Sequence, residues 1–282
     1  MGSRTVCSAS MKDTAMIDLL HYDFMRNALL AGLLVSVACG IVGALVVVNR
    51  LAFLSGGVAH AAYGGLGLSV FLGWPPMVGA VPFALLAALG MGYVSRTNKE
   101  RSDTVIGVMW ALGMATGIIF IDLKAGYFVD LMSYLFGSIL AVSKASLFVM
   151  LGLDAIIVCV VGILYKEILA MSYDDEFALV SGIRVELLYY IVILLIALTV
   201  IMLIKVVGLI LVIALFTIPA SIAEMFTKEL KRMMAISVVL SMVFTTAGLI
   251  ISAGLNLTSG ATIIAVAGIA YVGALLVRKK TA

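Results

Sequence analysis

Nine runs of roughly 18 to 24 mainly apolar residues recur along this 282-residue chain, at 25–48, 53–72, 77–95, 104–121, 145–164, 187–204, 206–223, 233–252 and 260–277. A helix needs about 20 such residues to cross the roughly 30 Å hydrocarbon core of a bilayer. Inside lipid every backbone N–H and C=O must be satisfied internally, so only helices and closed barrels span it. The runs lack the alternation of barrel strands, and they predict an all-α, polytopic transmembrane helix bundle of about nine spans. Lys205 parts two runs with almost no loop between them, so eight spans is the other count this stretch allows. Segment 131–142 is too short to cross and predicts a re-entrant or interfacial helix.

Composition agrees. The chain is 64% hydrophobic and 12% charged, with a mean hydropathy of +1.24, whereas soluble domains are about 45–50% apolar and about 25% charged. The net charge of +3 is scattered, and without a basic stripe nothing points to nucleic acid. Cys7, Cys39 and Cys159 form no CxxC pair, and His21 and His60 are the two histidines, so a HExxH zinc site is excluded. There is no GxxxxGK[ST] loop for ATP. No catalytic pair stands out for an intramembrane enzyme, and no permanently bound cofactor is expected.

Basic residues orient the bundle. With the N-terminus outside, twelve Lys and Arg face inward and six outward; the opposite orientation inverts that bias. Residues 1–15 are short, polar and without the apolar core of a signal peptide, and read as a disordered tail. Residues 16–282 then form a single transmembrane domain.

The largest inner loop, 165–186, contains the stretch 172–183, SYDDEFALVSGI. Asp174, Asp175 and Glu176 suit the positive N-terminal end of a short helix, and Gly182 suits its stop. Such a helix is either an ordinary solvated link or the part that a cytoplasmic motor pushes.

Glu176-x-Ala178-x-x-x-Gly182 resembles the EAA-type coupling loop of ABC importer permeases. Other stretches resemble the permease subunits of bacterial zinc, manganese and iron ABC importers: 22–32 (YDFMRNALLAG), 49–61 (NRLAFLSGGVAHA), 133–137 (SYLFG), 207–212 (VGLILV) with 217–220 (TIPA), and 257–262 (LTSGAT). The resemblance runs from about residue 16 to 277. It implies a homodimer of permeases in the bacterial inner (plasma) membrane, two cytoplasmic ATPase subunits and an extracytoplasmic metal-binding protein. Asp174, Asp175, Glu176, Ala178 and Gly182 become the ATPase-coupling residues, and the cargo is a divalent transition metal. The family's second-helix signature carries an Asp four residues before the His; Gly56 stands there in this chain.

Three residues are candidates for transient contact with the metal. His60 lies mid-run, with Gly56, Gly57, Gly64 and Gly67 on its helical face; imidazole is a common transition-metal ligand, and packing against a neighbouring carbonyl is the alternative role. Asp154 lies mid-run, where a carboxylate must face protein or water. Glu224 lies near the inner boundary, lining the exit or pairing with Lys228 one turn on. Asp122 and Asp130 fall on the outer side. The sixteen Met residues are scattered, which favours packing over a copper route. The competing functions are a permease for a metal chelate or cobalamin and a stand-alone secondary metal carrier.

Overall fold

The computed structural model of the chain describes residues 23–97, 101–124 and 135–281. The expected tail, 1–15, and Asp130 lie outside the described residues. Among the described residues eleven full α-helices follow one another: α1 Asp23–Val48, α2 Ala52–Leu72, α3 Pro76–Thr97, α4 Ser102–Asp122, α5 Lys144–Ile163, α6 Tyr165–Tyr173, α7 Asp175–Val180, α8 Val185–Val206, α9 Val212–Phe226, α10 Leu230–Leu255 and α11 Ser259–Thr281.

The centres of all nine apolar runs are helical, but the nine-span expectation needs correction. Seven helices among the described residues are long and apolar enough to cross a membrane: α1, α3, α4, α5, α8, α10 and the Ser259–Arg278 part of α11. The other two differ for separate physical reasons. α2 is 21 residues long, yet 16 of them are buried against protein, so its sequence answers to neighbouring helices rather than to lipid and tolerates a histidine and many glycines. The run 206–223 is broken: Gly208 has φ +84°, residues 207–211 leave the helix, and the Ile210 N–H donates to Leu135 O at 3.3 Å. Only the 15-residue α9 remains.

Of the expected re-entrant helix at 131–142, residues 131–134 lie outside the described residues, Leu135 and Phe136 are helical, and the rest forms no continuous helix. Gly137 takes φ +74°, and beyond it stands a single 3₁₀ turn, Ile139–Ala141. A side chain on Gly137 or Gly208 would run into the other segment's backbone, and one on Gly260 would meet Phe136 O and Val207 O. Three separated motifs thus converge on one backbone junction.

Long-range bonds define two ends of the bundle. At the end where α1 begins, Asp23 pairs with Lys144 at 3.5 Å, Asn27 donates to Val142 O and Lys205 donates to Ser146. At the other end Asn49 donates to Ser172 at 3.1 Å and Tyr173 to Lys228 O. This second end holds α6, α7 and most of the basic residues, among them Arg50, Arg96, Arg184, Lys231 and Arg232. α1, α2 and α8 supply most of the buried centre, while α4, α5 and α11 turn apolar side chains outward, as lipid contact requires.

Candidate functional site

His60 sits on the buried face of α2, 7% exposed. Its ring stacks on Trp110 of α4, with centroids 4.1 Å apart and planes 12° apart. Its Nδ1 lies 3.1 Å from the Met114 Sδ, one turn further along α4. The glycines around it are used for close packing. A side chain on Gly64 would meet Gly113 O, and one on Gly67 would overlap the Gly117 backbone. α4 therefore lies directly over the His60 face. The position vacated by the family's Asp is filled: a side chain on Gly56 would meet the Ile213 side chain of α9. The imidazole thus stands between an aromatic plane and a thioether, a nitrogen and a sulfur donor together. Trp110 and Met114 were not legible as partners, because they lie about fifty residues away along the chain with no local signal.

Asp154 is on α5, 5% exposed, and neither carboxylate oxygen has a hydrogen-bond partner among the described residues. Glu224 is exposed near the end of α9, and the expected pair with Lys228 is not among the ion pairs of the described residues. These three candidates occupy α2, α5 and α9, and among the described residues no group of three or more His, Cys, Asp or Glu stands ready to hold a metal ion. Asp122, predicted on the outer side, closes α4 at the end where α1 begins.

The segment 172–183 is built as a hinge rather than one helix. α6 ends at Tyr173; Asp174 takes an extended conformation, and its carboxylate accepts from the Phe177 N–H at 2.9 Å, capping α7. Asp175 and Glu176 occupy the first turn, where the helix dipole favours negative charge. Ala178 is fully buried. Gly182, at φ +81°, donates to Leu179 O while the Ile183 N–H donates to Ala178 O, a helix stop of the kind glycine makes. Outward stand Phe177 at 60%, Leu179 at 65% and Val180 at 82% exposure. An apolar tip on a six-residue polar-capped helix is surface that a partner would bury.

The model of the ABC 3 transport family matches residues 21–278. The chain belongs to the ABC 3 transport family. This ABC 3 protein is a multi-pass membrane protein similar to bacterial relatives along almost its full length. It is 52% identical over 265 residues to a membrane protein of Synechocystis sp., covering 94% of each chain. It is 32% identical over 262 residues to the manganese transport system membrane protein MntC of Listeria monocytogenes, covering 93% of each. Among solved structures, PsaBC from Streptococcus pneumoniae in complex with Fab superposes at a TM-score of 0.84 and 30% identity, covering 93% of this chain and 94% of that one.

Proposed function

We propose that this chain is the membrane-spanning permease of an ATP-driven importer for a divalent transition metal, with manganese the first cargo to test and zinc and iron the comparisons. The coupling segment carries the reading. Its apolar tip of Phe177, Leu179 and Val180 offers a docking knob to a cytoplasmic ATPase, and its base is tied to two turns that lead into the candidate pathway. Asn49, bonded to Ser172, begins the turn into α2 and His60. Lys228, bonded to Tyr173, follows α9 and Glu224. A push on α7 is thereby delivered to both. Similarity to proteins named for manganese transport supports manganese as the first cargo to test.

In this account two copies of the chain and two ATPase subunits make the working unit, and an extracytoplasmic protein delivers the ion. The coupling end faces the cytoplasm, since it holds most of the basic residues. His60 receives the ion when α4 shifts its Trp110 and Met114 away. One imidazole with water completing the shell makes a weak site, which suits passage because an ion must leave as well as enter. Imidazole suits transition metals, whereas calcium and magnesium prefer oxygen ligands. Metal is cargo throughout, and the permease hydrolyses nothing.

The test is uptake by the permease reconstituted with its cognate ATPase, with manganese, zinc, iron, a metal chelate and cobalamin in competition. ATP-dependent uptake of a bare ion supports the proposal; uptake without ATP points to a secondary carrier, and preference for the chelate or cobalamin to the bulkier cargo.

A further inference from the structure

The seam between α1 and α5 carries two open grooves for which the transport account has no use. The first begins where both helices start. Leu30 and Leu34 of α1 face Leu147, Phe148 and Leu151 of α5 around a groove of about 390 Å³, with Asp23, Arg26 and Lys144 at its mouth. The second, about 690 Å³, runs between Val37 and Ile41 of α1, Val158 and Val161 of α5 and Val238 of α10, and ends at Tyr165 and Lys231. Residues 26, 30, 34, 37 and 41 of α1 recur at intervals of three or four, so both grooves follow one face of that helix.

Among the residues that line the two grooves, charged side chains stand only at the far ends of this path. Lys144 and Tyr165 are 21 residues apart, roughly 30 Å along a helix, which is the thickness of the hydrocarbon core. The cations therefore sit at the two headgroup levels. Among the described residues neither Arg26 nor Lys231 has an ion-pair partner, and Lys144 shares Asp23 in an exposed pair. Cations at this depth attract anionic headgroups. The path is also interrupted midway, at the level of Asp154, as two acyl chains meeting from opposite leaflets require. A helix laid into the seam would need one unbroken groove.

We propose that the α1–α5 seam binds phospholipid, one molecule from each leaflet. The phosphate of one meets Arg26 and Lys144, with Asp23 available to a headgroup ammonium; the phosphate of the other meets Lys231 and the Tyr165 hydroxyl. One acyl chain of each fills the adjoining groove.

Native mass spectrometry of the assembled complex, delipidated and then titrated with phosphatidylglycerol, tests this. The wild-type chain should hold two molecules tightly. An Arg26→Ala, Lys144→Ala double variant should lose one and Lys231→Ala the other, each with about a tenfold weaker affinity for the affected site. Leu34→Trp, which fills the first groove and leaves its charges in place, should also lose one. Two lipids retained at wild-type affinity in all three variants overturns the proposal. So does a disulfide between two copies through Phe148→Cys in a cysteine-free background, which would give the seam to a second chain.

Discussion

The α2–α4 contact and the α1–α5 contact join spanning helices in opposite ways. On the first, glycines of α2 meet the backbone of α4 at Gly113 and Gly117, and the buried imidazole of His60 is stacked and partnered. On the second, Gly152 and Gly162 of α5 have nothing near them, two grooves stay open, and Asp154 is buried without a bond. Helices in lipid gain little from apolar burial alone and associate through close van der Waals packing, with small residues at the contact. The tight contact is thus the one whose geometry is fixed to the placement of a ring, and it is where the transport chemistry is proposed. The loose one leaves room for lipid.

The largest effect should come from spoiling the tight contact. Gly67→Leu forces α2 away from the Gly117 backbone, and overpacking of this kind costs about 3 kcal/mol or more when backbone cannot yield. The variant should lose its monodisperse peak in size-exclusion chromatography and its cooperative thermal transition. Gly152→Leu on the open face of α5 should change stability by no more than about 0.5 kcal/mol. Equal damage by both would erase the distinction between the two contacts.

Next comes α7, the proposed coupling helix. Gly182→Pro cannot adopt φ +81° and loses the bond to Leu179 O, because proline holds φ near −65° and lacks an N–H. Glu176→Arg reverses a charge in the first turn of α7. Both should insert normally, by yield and circular dichroism, and lose most ATP-driven uptake. Wild-type uptake and ATPase binding in both would remove α7 from the mechanism.

A smaller effect separates the two intramembrane acids and bases. Asp154 is buried and unbonded, and an unsatisfied buried polar group costs about 1–3 kcal/mol. Asp154→Leu should therefore raise Tm while leaving uptake unchanged if the residue lies off the pathway. A folded variant that no longer transports would return Asp154 to the list of metal contacts.

Much of this fold was legible because lipid imposes a simple rule on length and apolarity: the centres of all nine runs are helical. The rule fails where protein, not lipid, surrounds the chain. Nothing in the apolarity of 206–223 marks the break at 207–211, because Gly208 and Leu135 meet only in three dimensions. The short helix α7 was legible from Asp174 and Gly182, whose capping chemistry is local. His60 was legible as a candidate from its own position, but the Trp110 plane and Met114 sulfur that hold it depend on α4 folding back over α2. The interval between Arg26 and Lys231 likewise acquires meaning only when α1, α5 and α10 lie side by side.

The measurement that bears most directly on the central claim is manganese uptake into vesicles containing the permease and its cognate ATPase, wild type against His60→Ala. The account predicts uptake that requires ATP in the wild type and falls by about tenfold or more in His60→Ala, a loss of roughly 1.4 kcal/mol or more, while the ATPase still co-purifies with the variant. His60→Asp should restore part of the rate with an altered preference among manganese, zinc and iron. Uptake by His60→Ala at the wild-type rate and with the same metal preference would make His60 a packing residue under Trp110 and contradict the account.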